Sequence, residues 1–289
     1  MPPTSLANNK TAQILKDAEA GGYGVIAPVI YNIEHIIAFV AAAEAKRSPL
    51  IIQMFPWAVT FSSGLLVHAA SQAAKSATVP ISVHLDHAQD EGLIRHAADN
   101  LPFDSIMVDM SHHEREDNLR RTKELVEYCH ARGITTEAEP GRIEGGEDGI
   151  KDTAELEGVK TTKEDVEDFY NTGVDFLAPA FGNIHGEYGI EGPQLDFERL
   201  SEVKEAIGGR LRIAMHGTNG FPEDIMKECI KRGVSKVNVN KLVLQDSNNY
   251  IKANAATVTL TKLMEIGVEK ARALGERQMD VCGSSGKAT

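Results

Sequence analysis

The sequence predicts a (β/α)8 barrel, a TIM-type α/β fold built as a single domain. Three observations carry this expectation. Eight short β-branched or apolar runs alternate with longer Ala-, Glu- and Lys-rich stretches of helical periodicity. No Pro- or Ser-rich linker divides the chain. The length, 289 residues, is close to the roughly 250 residues that eight β/α units need. The rival, a doubly wound open sheet, would place a Gly-rich dinucleotide loop after its first strand, and A-P-V-I-Y-N is not one.

In chain order, the first strand run is 24–30, followed by helical periodicity over 34–45. Run 50–54 leads to a helix over 64–76, run 81–86 to 91–99, and run 105–109 to 118–132. Run 134–139 is followed by a Gly- and acid-rich loop, 141–160, and then by a helix over 163–172. A loop that long in a compact domain is usually functional or mobile. Thr162 opens the sequence T-K-E-D, a capping-box-like helix start with Asp165. Runs 176–179, 212–216 and 236–240 complete the set, with helices over 197–207 and 222–232 between them. Gly133, Gly173 and Gly233 each stand between a helix and a strand, where a left-handed residue ends the helix. The barrel is expected over 1–275, with a disordered tail over 276–289.

Charge and composition exclude several classes of function. The net charge of −12 offers no bulk attraction to nucleic acid or to an anionic membrane, so neither is an expected partner. The apolar runs fall far short of the roughly 20 residues of a membrane helix, and M-P-P-T-S-L-A-N-N-K has no apolar signal-peptide core. Cys129, Cys229 and Cys282 share no metal-binding spacing and cannot all pair. They imply a reducing, cytoplasmic location.

In a barrel of this type, chemistry sits at the C-terminal ends of the strands. Here those ends carry H-L-D-H (His84 to His87), Asp109 before S-H-H, E-A-E (Glu137 to Glu139), G-N-I-H-G (Gly182 to Gly186), His216 before G-T-N-G, and N-V-N (Asn238 to Asn240). His87, His185 and His216 end three different strands. Three imidazoles with an open position make a catalytic zinc site. Asp86 precedes His87 and can act as acid or base beside that metal. The loops Gly217–Gly220 and Asn238–Lys241 follow strands seven and eight, the common phosphate site of such barrels. Gly182 and Gly186 would let backbone approach the same ligand.

Taken in order, these pieces resemble the class II, zinc-dependent ketose-bisphosphate aldolases, which include the fructose- and tagatose-bisphosphate aldolases. The resemblance runs from about Leu15 to Gly275. It rests on Y-N (Tyr31–Asn32), S-P-L-I-I-Q (Ser48–Gln53), H-L-D-H, V-D-M-S-H, E-A-E-P-G, G-G-E-D-G, G-N-I-H-G, L-D-F-E-R-L, H-G-T-N-G and K-V-N-V-N. It implies a lyase that cleaves a ketose phosphate, a sugar-phosphate partner, and a homodimer or homotetramer. His87, His185 and His216 are then zinc ligands, and Asp109 and Glu139 are acidic residues that support or transiently bind the metal. Asp86 resembles the residue that moves the hydroxyl proton, and Glu147 the one that moves the carbon-bound proton of the donor. Asn32, Gln53, Gly186, Gly217, Thr218, Asn219, Gly220, Asn238, Asn240 and Lys241 fall among the substrate and phosphate contacts. A monovalent cation, Na+ or K+, is expected near Gly186 and Gly217.

Three positions depart from the family pattern. Phe55, Asn219 and Lys241 stand where serine, serine and threonine are usual. The first of those hydroxyls helps the enediolate and the other two touch the donor phosphate. Lys241 can meet phosphate as a point charge, or a carboxylate on a different donor. The departures leave the metal chemistry in place and bear on the identity of the substrate.

Overall fold

The computed structural model describes residues 6–146 and 158–288. Helix α1 (Lys10–Gly21) comes first. Strand β1 (Val25–Pro28) is followed by α2 (Ile33–Lys46), and β2 (Leu50–Met54) by α3 (Pro56–Phe61) and α4 (Leu65–Ser76). Next come β3 (Ile81–Ala88) with α5 (Glu91–Asn100), β4 (Ser105–Val108) with α6 (Arg115–His130), and β5 (Thr135–Ala138) with α7 (Lys163–Tyr170). The series closes with β6 (Phe176–Leu177) and α8 (Phe197–Ile207), β7 (Arg212–Met215) and α9 (Glu223–Lys231), and β8 (Val234–Val239) with α10 (Lys241–Asn254) and α11 (Leu260–Val281).

All eight strands are parallel, in the order β1-β8-β7-β6-β5-β4-β3-β2. The circle is drawn together by a bridge between Val29 and Gln53, with Ile30 N–H donating to the Gln53 carbonyl at 2.9 Å. The expected (β/α)8 barrel is therefore the fold. Strand six is shorter than its apolar run because Pro179 has no N–H to give the ladder. Strand eight begins earlier, since Val234 already pairs with Ile213.

Strand residues alternate between two cores. The outward set packs under the helices in the larger core, exemplified by Phe39, Leu85, Val108, Phe169 and Val237. The inward set of Val25, Ala27, Ile51, Met107, Phe176 and Ala214 meets Ile14, Leu15 and Ala18 of α1. Helix α1 thus plugs the N-terminal end of the barrel, and Thr11 Oγ1 bonds Ser105 Oγ at 3.0 Å there. The interior is apolar at this end and polar toward the other. That leaves the C-terminal mouth as the end where polar side chains collect.

Local signals behave as their chemistry dictates. Thr162 and Asp165 form the capping box of α7, and Gly133, Gly173 and Gly233 have φ of 75°, 89° and 103°. The expected disordered tail is corrected: residues 276–281 complete α11, and the following turn docks on α2. Gly286 and Ala288 donate their N–H groups to the carbonyls of Lys46 and Arg47 at 2.8 and 2.9 Å. Met279, Val281 and Cys282 are buried, and this apolar burial holds a segment whose Gly- and Ser-rich composition reads as loose.

Candidate active site

A regular strand sends consecutive side chains to opposite faces, so Asp86 and His87 could not both face the barrel mouth on an unbroken β3. The β3–β4 register slips between Leu85 and Ala88, and His87 takes φ 46°. This bulge, with a non-glycine residue in the left-handed region, turns His87 back beside Asp86. His216 follows β7 directly. His185 lies in the loop after β6, where its N–H donates to the Glu144 carbonyl at 2.7 Å. Gly217 holds the two loops in contact: its φ is 68°, and a Cβ there would lie 2.2 Å from the Ile184 carbonyl oxygen. Tyr188 Oη fastens the same junction, accepting from Ile184 N–H at 3.1 Å and donating to the Gly217 carbonyl at 2.7 Å.

The three histidines then converge, with one ligating atom from each within 4.8 Å of the others. His87 Nδ1 is 2.9 Å from Asp109 Oδ2, and the other oxygen of Asp109 accepts from Ser111 Oγ at 2.6 Å. His216 Nε2 is 2.7 Å from Glu137 Oε1. A histidine that gives one ring proton to a carboxylate presents a lone pair on its other nitrogen. Those two nitrogens, His87 Nε2 and His216 Nδ1, stand 2.9 Å apart. A proton between them would satisfy two nitrogens. The Nε2 of half-buried His185 is itself buried without a hydrogen-bond partner, and an ion that takes three nitrogens satisfies it as well. The donor set fits a borderline-soft divalent ion.

The field of the site points the same way. Burial opposes charge on His87, but the carboxylates of Asp86, Asp109 and Glu139 outweigh it and push its pKa up to about 10. Burial, reinforced by His87, holds His185 well below the ordinary histidine range, and burial also lowers His216. Glu139 is pushed up to about 8 by burial and by Asp109. Its Oε1 accepts from Ile143 N–H at 2.7 Å, and its Oε2 is buried without a partner. His87, Asp109 and Glu139 also present ligating atoms within 4.8 Å of one another.

Asp86 is buried, and its Oδ2 accepts from Gln53 Nε2 and Asn238 Nδ2, both at 3.0 Å. Burial resists its ionisation, yet Lys236 and His87 hold the carboxyl well below the usual range. A cleft opens above these groups, lined by Gln53, Phe55, Asp86, the three histidines, Gly217, Thr218, Asn219, Asn238 and Asn240. Phe55 packs its ring 6.2 Å from that of His87. Thr218 Oγ1 donates to the Asn238 carbonyl at 2.5 Å.

Other expected contacts fall elsewhere. Gly186 flanks His185 and Gly220 is exposed, and neither lines the cavity. Lys241 stands at the rim with its ammonium 2.6 Å from Glu187 Oε1. Asn32 does not reach the cavity: it is exposed, and its side-chain oxygen caps α2 by accepting from His35 N–H at 2.9 Å. His35 is buried against Tyr31 and Phe39. Glu147 lies outside the described residues.

The sequence reading passed over a group beneath the histidines. Lys236 Nζ is 2.8 Å from Glu137 Oε2 and 3.8 Å from Asp86 Oδ1, and His84 Nε2 is 3.3 Å from Glu137 Oε2. All four side chains are buried. The available signal was alternation: Lys236, Asn238 and Asn240 share one face of a strand, and a lysine inside a parallel barrel requires a carboxylate.

The class-II fructose-bisphosphate aldolase family model matches residues 9–287. A fructose-bisphosphate aldolase of Streptococcus pneumoniae is 37% identical over 294 residues, covering 96% of this chain and 98% of the relative. A crystal structure from Coccidioides immitis is 50% identical with a TM-score of 0.95, covering 97% of this chain and 98% of that one. The YdjI aldolase of Escherichia coli K12 is 29% identical with a TM-score of 0.85, over 96% of this chain and 98% of that one. On this match and on the geometry of its barrel mouth, the chain belongs to the class II fructose-bisphosphate aldolase family.

Proposed function

We propose that the chain is a zinc-dependent aldolase. It reversibly cleaves a ketose phosphate, a ketose 1,6-bisphosphate such as fructose 1,6-bisphosphate, to dihydroxyacetone phosphate and an aldehyde. One observation carries the reading: three histidine nitrogens, one of them buried and unsatisfied, converge beside an ionised aspartate at the mouth of the barrel. His87, His185 and His216 would hold the zinc, with Asp109 and Glu139 beside them. When bound, the metal supplies the Lewis acidity that stabilises the enediolate charge left by carbon–carbon cleavage.

The chain's own groups do the rest. Asp86 takes the hydroxyl proton in cleavage and returns it in condensation, and Gln53 and Asn238 hold its carboxylate in place. The Gly217–Asn219 loop and Asn240 at the start of α10 face the cavity as the phosphate end. Glu147 is assigned the carbon-bound proton by its place in G-G-E-D-G. Na+ or K+ is assigned to the loops around Gly186 and Gly217, and a KCl titration of activity tests it. Lys236 is no Schiff-base candidate, because its ammonium is buried on Glu137.

A second reading keeps the chemistry and changes the donor to a non-phosphorylated or carboxylated compound. It is favoured by Phe55 on the cavity wall and by the Lys241–Glu187 pair at the rim. Proton exchange on dihydroxyacetone phosphate in heavy water, followed by NMR with and without chelator, separates the readings. Chelator-sensitive exchange supports the phosphate donor. A zinc-loaded protein without exchange overturns it in favour of another donor or of a barrel that binds without turnover.

We assign a homodimer or homotetramer on the exposed apolar side chains Ile33, Ile37, Trp57, Phe61 and Leu65, with Trp57 and Phe61 stacked at 4.7 Å. Sedimentation of the intact protein tests it. Three buried, unpaired thiols support a reducing, cytoplasmic compartment. Among the described residues, no helix is long and apolar enough to cross a membrane.

A further inference from the structure

We propose that Lys236 is a positioning residue: its ammonium fixes the orientation of Glu137 and thereby keeps the His216 proton on Nε2 and the Nδ1 lone pair free for the metal. The proposal rests on the zinc site of the preceding reading. It concerns a residue that touches neither the metal ligands nor the cavity.

The argument starts from topology. Lys236 is on β8 and Glu137 on β5, which are separated by β7 and β6 in the sheet. Both side chains are fully buried, so their contact at 2.8 Å spans the interior of the barrel rather than its wall. A buried lysine is costly unless it is paired and hydrogen-bonded. Here it lies on Glu137 Oε2, with Asp86 Oδ1 at 3.8 Å. That contact leaves Glu137 Oε1 for His216 Nε2 at 2.7 Å. A carboxylate only accepts, so the shared proton belongs to the imidazole.

The remaining neighbour does not force this choice. His84 Nε2 faces two acceptors, Glu137 Oε2 at 3.3 Å and Asp86 Oδ1 at 3.6 Å, and its Nδ1 lies 2.8 Å from Ser105 Oγ. Those carboxylates hold its proton on Nε2 in the wild type, but a hydroxyl can donate or accept, so with an amide at position 137 the proton of His84 can move to Nδ1. Lys236 is the member of the group that can only donate. It therefore dictates polarity along the chain from Lys236 to Glu137 to His216 to the metal position.

A carboxamide at position 137 exposes this dictation. In Glu137→Gln, Lys236 demands the amide oxygen and the amide NH2 is turned toward His216 Nε2. His216 must then accept there and carry its proton on Nδ1, which blocks the metal. In Lys236→Met/Glu137→Gln the demand is gone, and the amide can rotate its oxygen back to His216 Nε2–H. The prediction is a reversal of the usual order, with the double variant better than the single one.

Two measurements test it. Ring 15N NMR of the metal-free proteins should show Nε2–H at His216 in the wild type, Nδ1–H in Glu137→Gln, and Nε2–H again in the double variant. Competition against a chromogenic chelator should show zinc bound about 10- to 100-fold more weakly in Glu137→Gln, and within about threefold of wild type in the double variant. Nε2–H retained in Glu137→Gln overturns the proposal, as does a double variant that binds zinc no better than the single one. If the double variant does not fold, the tautomer of Glu137→Gln alone decides. A wild-type protein that binds no zinc would instead refute the zinc site, and the tautomer measurement stands apart from that outcome.

Discussion

Two buried carboxylate clusters flank the same histidines, and they are built to opposite rules. In one, Asp86 and Glu137 surround His84 and enclose the ammonium of Lys236. In the other, Asp109 and Glu139 stand beside His87, and among the described residues no lysine or arginine pair of either carboxylate is seen. The physical consequence is visible in the charges. Burial opposes ionisation of Glu137, but Lys236 and His216 hold it well below the usual range, whereas Glu139 is pushed up to about 8. The first cluster carries its cation in the sequence. The second shows none among the described residues, and its carboxylates, with Asp86, push the pKa of His87 up to about 10. The barrel mouth thus combines a closed polar base with a second carboxylate cluster beside His87.

The comparison breaks most readily at the histidines. Replacing His87 or His216 with alanine removes a ligand from a three-nitrogen site, so zinc content and proton exchange should both fall to background. Elemental analysis together with the exchange experiment reads this, and turnover that survives metal-free ends the zinc reading. Asp86→Ala is the next largest effect. It should spare zinc and lower turnover by about 10^2- to 10^4-fold, the range of a positioned acid–base group, and unchanged turnover removes Asp86 from the mechanism.

How much of this was legible in the sequence follows from the same contrast. His87, His185, His216 and Asp86 could be read because polar residues gather where strands end, and a barrel sends its chemistry there. Lys236 could not be read that way, and Glu137, although it opens E-A-E at a strand end, drew no role, because both owe their roles to a contact across the lumen, 99 residues apart. The bulge that brings Asp86 and His87 to one side was equally hidden, since alternation alone places them on opposite faces. Asn32 shows the other direction: the Y-N resemblance places it among the substrate contacts, whereas its position before an apolar helix start also makes it the cap of α2. The ordered C-terminus was missed because its apolar residues are few and are interspersed with Gly and Ser.

Removing one partner from each cluster sharpens the contrast. Lys236→Met leaves two buried carboxylates without their cation, and breaking such a pair costs about 3–5 kcal/mol. Glu139→Gln should cost less than about 1 kcal/mol at pH 7 in the metal-free protein, because a carboxyl pushed up to about 8 is already protonated there and the amide is nearly isosteric. Urea unfolding of both variants without metal compares them directly. Equal losses would mean that the clusters do not differ in charge completeness.

His35 supplies the cleanest test, a buried titratable group with no carboxylate partner among the described residues. Its Nδ1 accepts from Tyr31 N–H at 3.2 Å, and burial pushes its pKa down from the ordinary 6.5 to about 4. Between those values the unfolded chain binds a proton that the folded one refuses, so stability must fall as pH drops through this window. Above 6.5 both states are neutral and His35 contributes no pH dependence. The loss should reach about 2 kcal/mol at pH 5 and approach about 3 kcal/mol near pH 4. Carboxylates titrate over part of the same range, so the informative quantity is the difference in pH slope between wild type and His35→Phe. The variant loses the Tyr31 hydrogen bond at every pH, which shifts its curve without changing the slope. A wild-type slope that matches the variant's would show that His35 accepts its proton in the fold, and that burial without a counter-charge is less decisive in this barrel than the contrast between the two clusters requires.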